Sequence, residues 1–212
     1  MSNEIKLRKL EPADLPQVVR VHLSSFPDSA LSKLGAEVVR LYYLWQLDGP
    51  HEKVQATGAF AGNDCVGFSF SGIFNGSTSG FINQNKTALI VNSLMRPWLI
   101  FNPLFFKRLR EGVKLLRRFT RKKTASADGG KKTKQQIYGI LSIAVAGNCQ
   151  KAGIGQMLMR DAEEEAVKYG YESICLTVHP ENIKAVKFYE KQNWQRFRQS
   201  DLWDGAMIKL LK

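Results

Sequence analysis

Apolar and polar positions alternate over Ile5–Leu10, with Ile5 and Leu7 set against Lys6 and Arg8, and this predicts a first strand. The period then lengthens. Glu11-Pro12-Ala13-Asp14 reads as a helix start, and Leu15, Val18, Val19 and His22 recur at helical spacing until Phe26-Pro27-Asp28. A second helix is expected over about Leu31–Leu47, with Leu34, Val38, Leu41 and Trp45 on one stripe and Asp48-Gly49-Pro50 closing it. Strand character resumes in Val54–Ala61 and Cys65–Ile73, which flank the hairpin signal Gly62-Asn63-Asp64. After Phe74 the pattern breaks, and Asn75–Gly80 reads as a loop. A strand returns only at Gln136–Val145, and further strands are expected at Ser173–Val178, Trp194–Phe197 and Ala206–Leu211, with helices between them. Strands and helices interleaved in this way predict an α/β or α+β sheet. The chain has no internal repeat.

About 60 residues separate the third and fourth expected strands, a long gap for a compact domain. Thr87–Phe106 is largely apolar, but Asn92, Arg96, Pro97, Asn102 and Pro103 interrupt it. A membrane-spanning helix needs ~20 mostly apolar residues, so this stretch is not expected to cross a bilayer. Leu104–Arg121 fits a helix better: Phe105, Leu109, Val113 and Leu116 form one stripe, with Lys107, Arg110, Lys114, Arg117 and Arg121 opposite. Arg121–Lys134 is small, polar and cationic, and reads as a mobile linker.

Charge sharpens the picture. The 212 residues carry a net +12, yet Lys107–Lys134 alone holds twelve Lys and Arg against Glu111 and Asp128. That segment is +10 and the rest of the chain only +2. A basic segment is therefore set into a near-neutral body, unlike a protein that coats nucleic acid with the whole of its fold. Length and a 44% hydrophobic composition fit one domain with a sizeable core. Cys65, Cys149 and Cys175 are an odd, widely spaced set, which points away from a disulfide framework or zinc site and toward a reducing compartment. Met1–Asp14 is charged where a secretory signal would be apolar, so a cytoplasmic location is expected.

The most specific pattern is Leu141–Tyr169, LSIAVAGNCQKAGIGQMLMRDAEEEAVKY. It reads as a strand, the turn Gln150-Lys151-Ala152-Gly153-Ile154-Gly155, and an amphipathic helix with Ile154, Leu158, Ala162 and Tyr169 along one side. Glycines at 153 and 155 allow a ligand close to the backbone. The first-turn N–H groups of the helix point outward with the positive end of its dipole, a suitable cradle for a pyrophosphate, and Lys151 adds a cation. Neither GxGxxG nor GxxxxGK[ST] is present. The competing reading is a glycine turn that only starts a helix. A second pattern follows the strand Ser173–Val178: His179-Pro180-Glu181-Asn182, then Ile183–Lys191, in which Asn182, Ala185 and Tyr189 share one helix face.

Taken together, the two passages resemble the Q/R-x-x-G-x-G/A and N-x-x-A-x-x-x-Y segments of the GCN5-related N-acetyltransferase (GNAT) superfamily. The resemblance is specific over 141–194 and extends loosely over about 1–74 and 136–212. It implies a mixed, mainly antiparallel six- to seven-stranded sheet with helices on both faces, and with splayed parallel strands 137–145 and 173–178 at its centre. It also implies acetyl-CoA as co-substrate and no metal. The pyrophosphate would lie on Gln150, Lys151, Ala152, Gly153, Ile154 and Gly155. The pantetheine arm would lie against Ile143, Ala144 and Val145 and meet Asn182, and the Tyr189 hydroxyl would protonate the departing thiolate. A phenol is a suitable acid for a thiolate formed in a closed cleft, although a lone tyrosine is more often a half-buried aromatic with a hydrogen-bonded tip.

Some members of that family place a carboxylate base on the strand before the loop. Here the strand carries Tyr138, Gly139 and Ser142 and no acid. Water, Tyr138 or a carboxylate such as Glu37 are the remaining routes for the amine proton, unless none is needed. His179 reads as a surface residue, His22 and His51 as lone histidines, and Cys149 as incidental. The expected organisation is a single domain over 1–212 with a basic, aromatic-rich insertion at about 75–135. By the topology the resemblance implies, that insertion emerges on the acceptor side, where Lys107–Lys134 suits an anionic acceptor or the inner face of a membrane. Packing of the same segment on the sheet is the plainer alternative. The run LSKLGAEVVRLYYLWQL resembles the opening of GNAT members of polysaccharide assembly, which implies a nucleotide- or lipid-linked amino sugar as acceptor. Protein or peptide acetylation, and a non-catalytic module binding acyl-CoA or nucleic acid, stand beside it.

Overall fold

The structure, a computed structural model, describes residues 4–74, 77–96, 137–197 and 203–211. Seven strands form one sheet: β1 (Ile5–Lys9), β2 (Glu52–Ala61), β3 (Asp64–Ile73), β4 (Gly139–Val145), β5 (Ser173–Thr177), β6 (Gln195–Arg196) and β7 (Ala206–Leu210), in the order β1-β2-β3-β4-β5-β7-β6. Every neighbouring pair is antiparallel except β4 and β5. The mixed, mainly antiparallel sheet with a parallel pair at its centre is the architecture the motifs implied.

Alternation along β3 assigns the two faces. Phe68 and Phe70 point toward α1 (Leu15–Ser25) and α3 (Ala36–Asp48), where Tyr43 packs edge-on to Phe68 at 5.1 Å and tilted over Phe70 at 4.8 Å. Leu15, Val18, Val38 and Val39 complete that core. Gly67, the residue before Phe68, faces the other way, toward Ile154 and Leu158 of α6 (Ile154–Lys168). A second cluster joins Ile140, Met159, Ile174, Leu176 and Met207 to Val186 and Tyr189 of α7 (Ile183–Lys191).

Three sequence expectations change. The single helix over Leu31–Leu47 is two, α2 (Ala30–Leu34) and α3, because Gly35 between them adopts a φ of +101°, outside any helix. The apolar stripe of Leu34 and Val38 runs across the break, so periodicity alone reads through it. Asn75–Gly80 is not a loop throughout, for α4 (Ser77–Gln84) begins within it. Its residues have low helix propensity; docking on α3 holds them. Trp45 Nε1 donates to the Ser77 carbonyl at 2.9 Å, Ser77 Oγ donates to Gln46 Oε1 at 2.8 Å, and Phe81 meets Tyr42 edge-on at 5.4 Å. Next, α5 (Lys86–Leu94) packs against α2, α3 and α4 and leaves Ile90, Val91, Leu94 and Met95 exposed. The strand bounds also shift: β2 begins two residues and β3 one residue earlier than expected, β4 begins at Gly139, and within Trp194–Phe197 only Gln195–Arg196 form a strand. The expected helix Leu104–Arg121, the linker Arg121–Lys134 and the basic segment Lys107–Lys134 lie outside the described residues.

Candidate functional site

The centre of the sheet opens along β4. It pairs with β5 only at Gly139↔Cys175 and Ile140↔Leu176, and the strands then part. A bulge marks the place: Ser142 opposes Phe70 and Ile140 opposes Ser71, so Leu141 has no opposite residue on β3. Past the bulge, the Ala146 N–H donates to Val66 across β3 at 2.9 Å. By alternation Val145 and Ile143 turn their N–H and C=O groups the other way, into the cleft left by β5. Ala144 is buried toward the α1–α3 layer, while Ile143 and Val145 pack toward α6. The cleft-facing Val145 carbonyl accepts from Ser25 Oγ at 3.2 Å and Gln150 Nε2 at 3.4 Å, which ties α1 and the following loop to this strand.

That loop ends at the start of α6. Lys151 (φ +70°) and Gly153 (φ +78°) both adopt left-handed backbone, and Gly153 is the residue at which the helix begins, with no side chain capping it. The Gln156 and Met157 N–H groups both turn back to the Gly153 carbonyl. Those of Lys151, Ala152, Gly153, Ile154 and Gly155 find no acceptor among the described residues. Five adjacent donors at a helix N-terminus have the chemistry to receive an anion. The two glycines differ. A Cβ on Gly153 would meet nothing within 4 Å, so that position is open to a ligand; one on Gly155 would lie 3.3 Å from the Phe188 ring, so its bareness also lets α7 approach α6. Gln150, Lys151 and Ala152 are exposed around the same opening.

Across the cleft, Asn182 caps α7, its side-chain oxygen accepting from the Ala185 N–H at 3.2 Å. Its amide nitrogen carries no such bond among the described residues. Tyr189 lies two turns further along, almost fully buried against Phe188 and Trp194, and burial pushes its hydroxyl up to about 12. It therefore holds its proton at any physiological pH. The two clusters of expected site residues, 143–155 and 182–189, thus border one cleft.

The candidates for taking a proton separate clearly. Tyr138 is wholly buried, with its hydroxyl 3.2 Å from Ser71 Oγ and pushed up to about 12 by desolvation. Glu37 is exposed and clamped by Arg40 through two bonds of 2.8 and 2.9 Å, which hold its carboxyl below the usual range. His179 is exposed in its turn. His22 and His51, expected to be lone histidines, both have partners: His51 Nε2 lies 3.1 Å from the Trp45 carbonyl, and His22 Nδ1 lies 2.8 Å from Tyr43 Oη. Sequence reasoning passed over that second pair, and Ser142 beyond it, because the partners lie far away along the chain. Among the described residues there is no cluster of His, Cys, Asp and Glu able to hold a metal ion, and no helix long and apolar enough to cross a membrane.

Known proteins share this frame. A sequence model of the acetyltransferase (GNAT) family matches residues 116–194. No curated protein matches the chain in sequence. Among solved structures, PH1933 from Pyrococcus horikoshii OT3 is similar with a TM-score of 0.60 and 19% identity, over 99% of each chain. The PaiA N-acetyltransferase from Thermoplasma acidophilum, solved in complex with coenzyme A, gives 0.58 and 16%, over 98% of this chain and 99% of the other. The ribosomal-protein-S18-alanine N-acetyltransferase from Escherichia coli gives 0.53 and 14%, over 98% and 93%. At these identities the likeness is one of fold.

Proposed function

We infer that this chain, a member of the GNAT acetyltransferase family by its motif region and its fold, is an N-acetyltransferase that moves an acetyl group from acetyl-CoA to the amine of a small acceptor. The observation that carries the reading is the cleft itself. A strand parts from its neighbour after Ile140, turns the polar groups of Ile143 and Val145 into the opening, and leads to five N–H groups over Lys151–Gly155 that are unpaired among the described residues. An elongated ligand with an anionic end and an amide-bearing arm fits that sequence of features. When bound, acetyl-CoA supplies the activated acyl group.

The chain's own residues then divide the work. Lys151 and the N–H groups through Gly155 hold the pyrophosphate. Ile143, Ala144 and Val145 line the arm, with a backbone N–H of the strand placed to polarise the carbonyl. Asn182 keeps its amide nitrogen for the arm while its oxygen caps α7. Tyr189, fully protonated, gives its proton to the sulfur as the C–S bond breaks.

On the acceptor side, α4 and α5 follow directly from the end of β3 that pairs with the start of β4, at Gly72↔Gly139. The insertion therefore leaves the sheet at the end opposite the Gln150–Gly155 loop, where an acceptor would enter. The deciding experiment is calorimetric titration with acetyl-CoA, followed by CoA release in the presence of amino sugars, free small amines and peptides. Saturable binding with turnover on a small amine supports the reading. Turnover on peptides alone moves it to protein acetylation, and absent binding overturns it.

A further inference from the structure

A chain of hydrogen bonds runs from the cleft into the α1–α3 layer. Ser142 stands two residues past Ile140, the last residue of β4 to pair with β5, and one residue before Ile143. It is thus at the closed end of the cleft, remote from the anion site, where the acyl end of a ligand anchored at Lys151–Gly155 would lie. Ser142 is only half-buried, and its Oγ is 2.9 Å from Tyr43 Oη. Tyr43 is fully buried, and the same Oη is 2.8 Å from His22 Nδ1. His22 Nε2 faces Ser29 Oγ at 3.5 Å; Ser29 Oγ donates to Ser32 Oγ at 2.9 Å, and Ser32 Oγ to the Phe26 carbonyl at 2.7 Å.

The far end sets the direction. Ser29 uses its proton on Ser32, so toward His22 it can only accept, and His22 must carry its proton on Nε2. Burial keeps the ring neutral, lowering its pKa to about 4, so Nδ1 has a free lone pair and accepts from Tyr43. Tyr43 in turn accepts from Ser142. Ser142 and Tyr43 then both donate inward, and half-buried Ser142 Oγ keeps lone pairs that accept from no group among the described residues.

We propose, on the premise that the chain is an acetyltransferase, that Ser142, Tyr43 and His22 form a relay that draws the proton from the attacking amine. As the amine nitrogen bonds to the acyl carbon it becomes cationic and strongly acidic. Its proton passes to Ser142 Oγ, the Ser142 proton to Tyr43 Oη, and the Tyr43 proton to His22 Nδ1. His22 releases its Nε2 proton through half-buried Ser29 to water. On the other side the C–S bond breaks and Tyr189 protonates the sulfur, so nitrogen loses one proton and sulfur gains one. Ser142 would touch the substrate; Tyr43 and His22 act through it. The relay stands where the strand has no carboxylate.

Two measurements test it. Nitrogen-15 spectra of the histidine rings are expected to show His22 protonated on Nε2 alone; a proton on Nδ1 overturns the relay whatever the activity. Tyr43→Phe keeps the ring packed on Phe68 and Phe70 and breaks the chain. Its kcat at neutral pH is expected to fall roughly 10- to 100-fold, with unchanged acetyl-CoA affinity and a deficit that narrows as pH rises and hydroxide takes over. Tyr43 is the titratable group bonded to His22 among the described residues, so the pH response reports this pair. Ser142→Ala should show the same loss and Ser142→Thr restore most of it. Wild-type turnover and pH profile in Tyr43→Phe, or a loss that is equal at all pH and accompanied by weaker acetyl-CoA binding, overturn the relay alone. Failure of the unaltered protein to bind acetyl-CoA overturns the acetyltransferase reading, and the relay with it.

Discussion

Two helices begin on opposite sides of the same cleft, and they begin differently. At α7 the Asn182 side chain satisfies the Ala185 N–H, so the chain closes its own helix end. At α6 Gly153 has no side chain to do so, and the N–H groups of residues 151–155 are left without acceptors among the described residues. A capped end is a structural solution, worth about 1 kcal/mol. An uncapped one of this length, beside a lysine, is, on the proposed function, a binding surface kept open at some cost to the free protein. The contrast teaches where ligand affinity and fold stability should separate under mutation.

The largest effect is expected from Gly155→Glu, which sets a carboxylate among the α6 donors and presses on Phe188. Acetyl-CoA binding by calorimetry should become undetectable, and a circular dichroism melt would show whether the fold survives. Tyr189→Phe comes next. It should lower kcat by about 100-fold and leave the acetyl-CoA dissociation constant unchanged. In the unaltered protein the Tyr189 hydroxyl loses its proton only as pH approaches 12, so its ionisation should not shape the rate profile below about pH 10. Gly153→Ala is the sharper probe of α6, because its Cβ would occupy open space and its φ is +78°. Strain of about 1 kcal/mol should appear in the melting curve, with a weakening of acetyl-CoA larger than that strain explains. Asn182→Ala should have the smallest effect, about 1 kcal/mol of stability, which Asn182→Asp should recover. If Asn182→Ala instead abolished binding while Gly153→Ala did nothing, the roles of the two helix starts would be reversed.

What could be read in the sequence was whatever is local. The turn before α6 shows itself in Gly153 and Gly155, and the start of α7 in Asn182, because glycine conformation and side-chain caps act within a few residues. The hairpin of β2 and β3 was legible for the same reason, through Gly62-Asn63-Asp64. What escaped depends on distant partners. The helix at Ser77 is held by Trp45 and Gln46, some thirty residues earlier. His22 reads as solitary until Tyr43 and Ser142 are brought to it by α3 and β4. Tyr138 stood as a candidate for proton transfer because its strand was known; that its side chain turns into the core against Ser71 follows from pairing with β3. The break at Gly35 could have been heeded, since a glycine inside an otherwise continuous stripe is a warning that periodicity overrides.

The parting of β4 from β5 also leaves two bare sheet edges facing each other inside one molecule. Edges of this kind normally invite another chain. Here the guest that fits the proposed reaction carries amides of its own and can lie along the edge as a substitute strand, in the manner of peptides that extend a sheet. The ligand would then finish the fold as well as enter the reaction. Its presence at 100 times the dissociation constant should add about 2.7 kcal/mol to unfolding stability. The amides of Ile143 and Val145 should exchange with solvent more slowly, as if an eighth strand had been laid into the sheet.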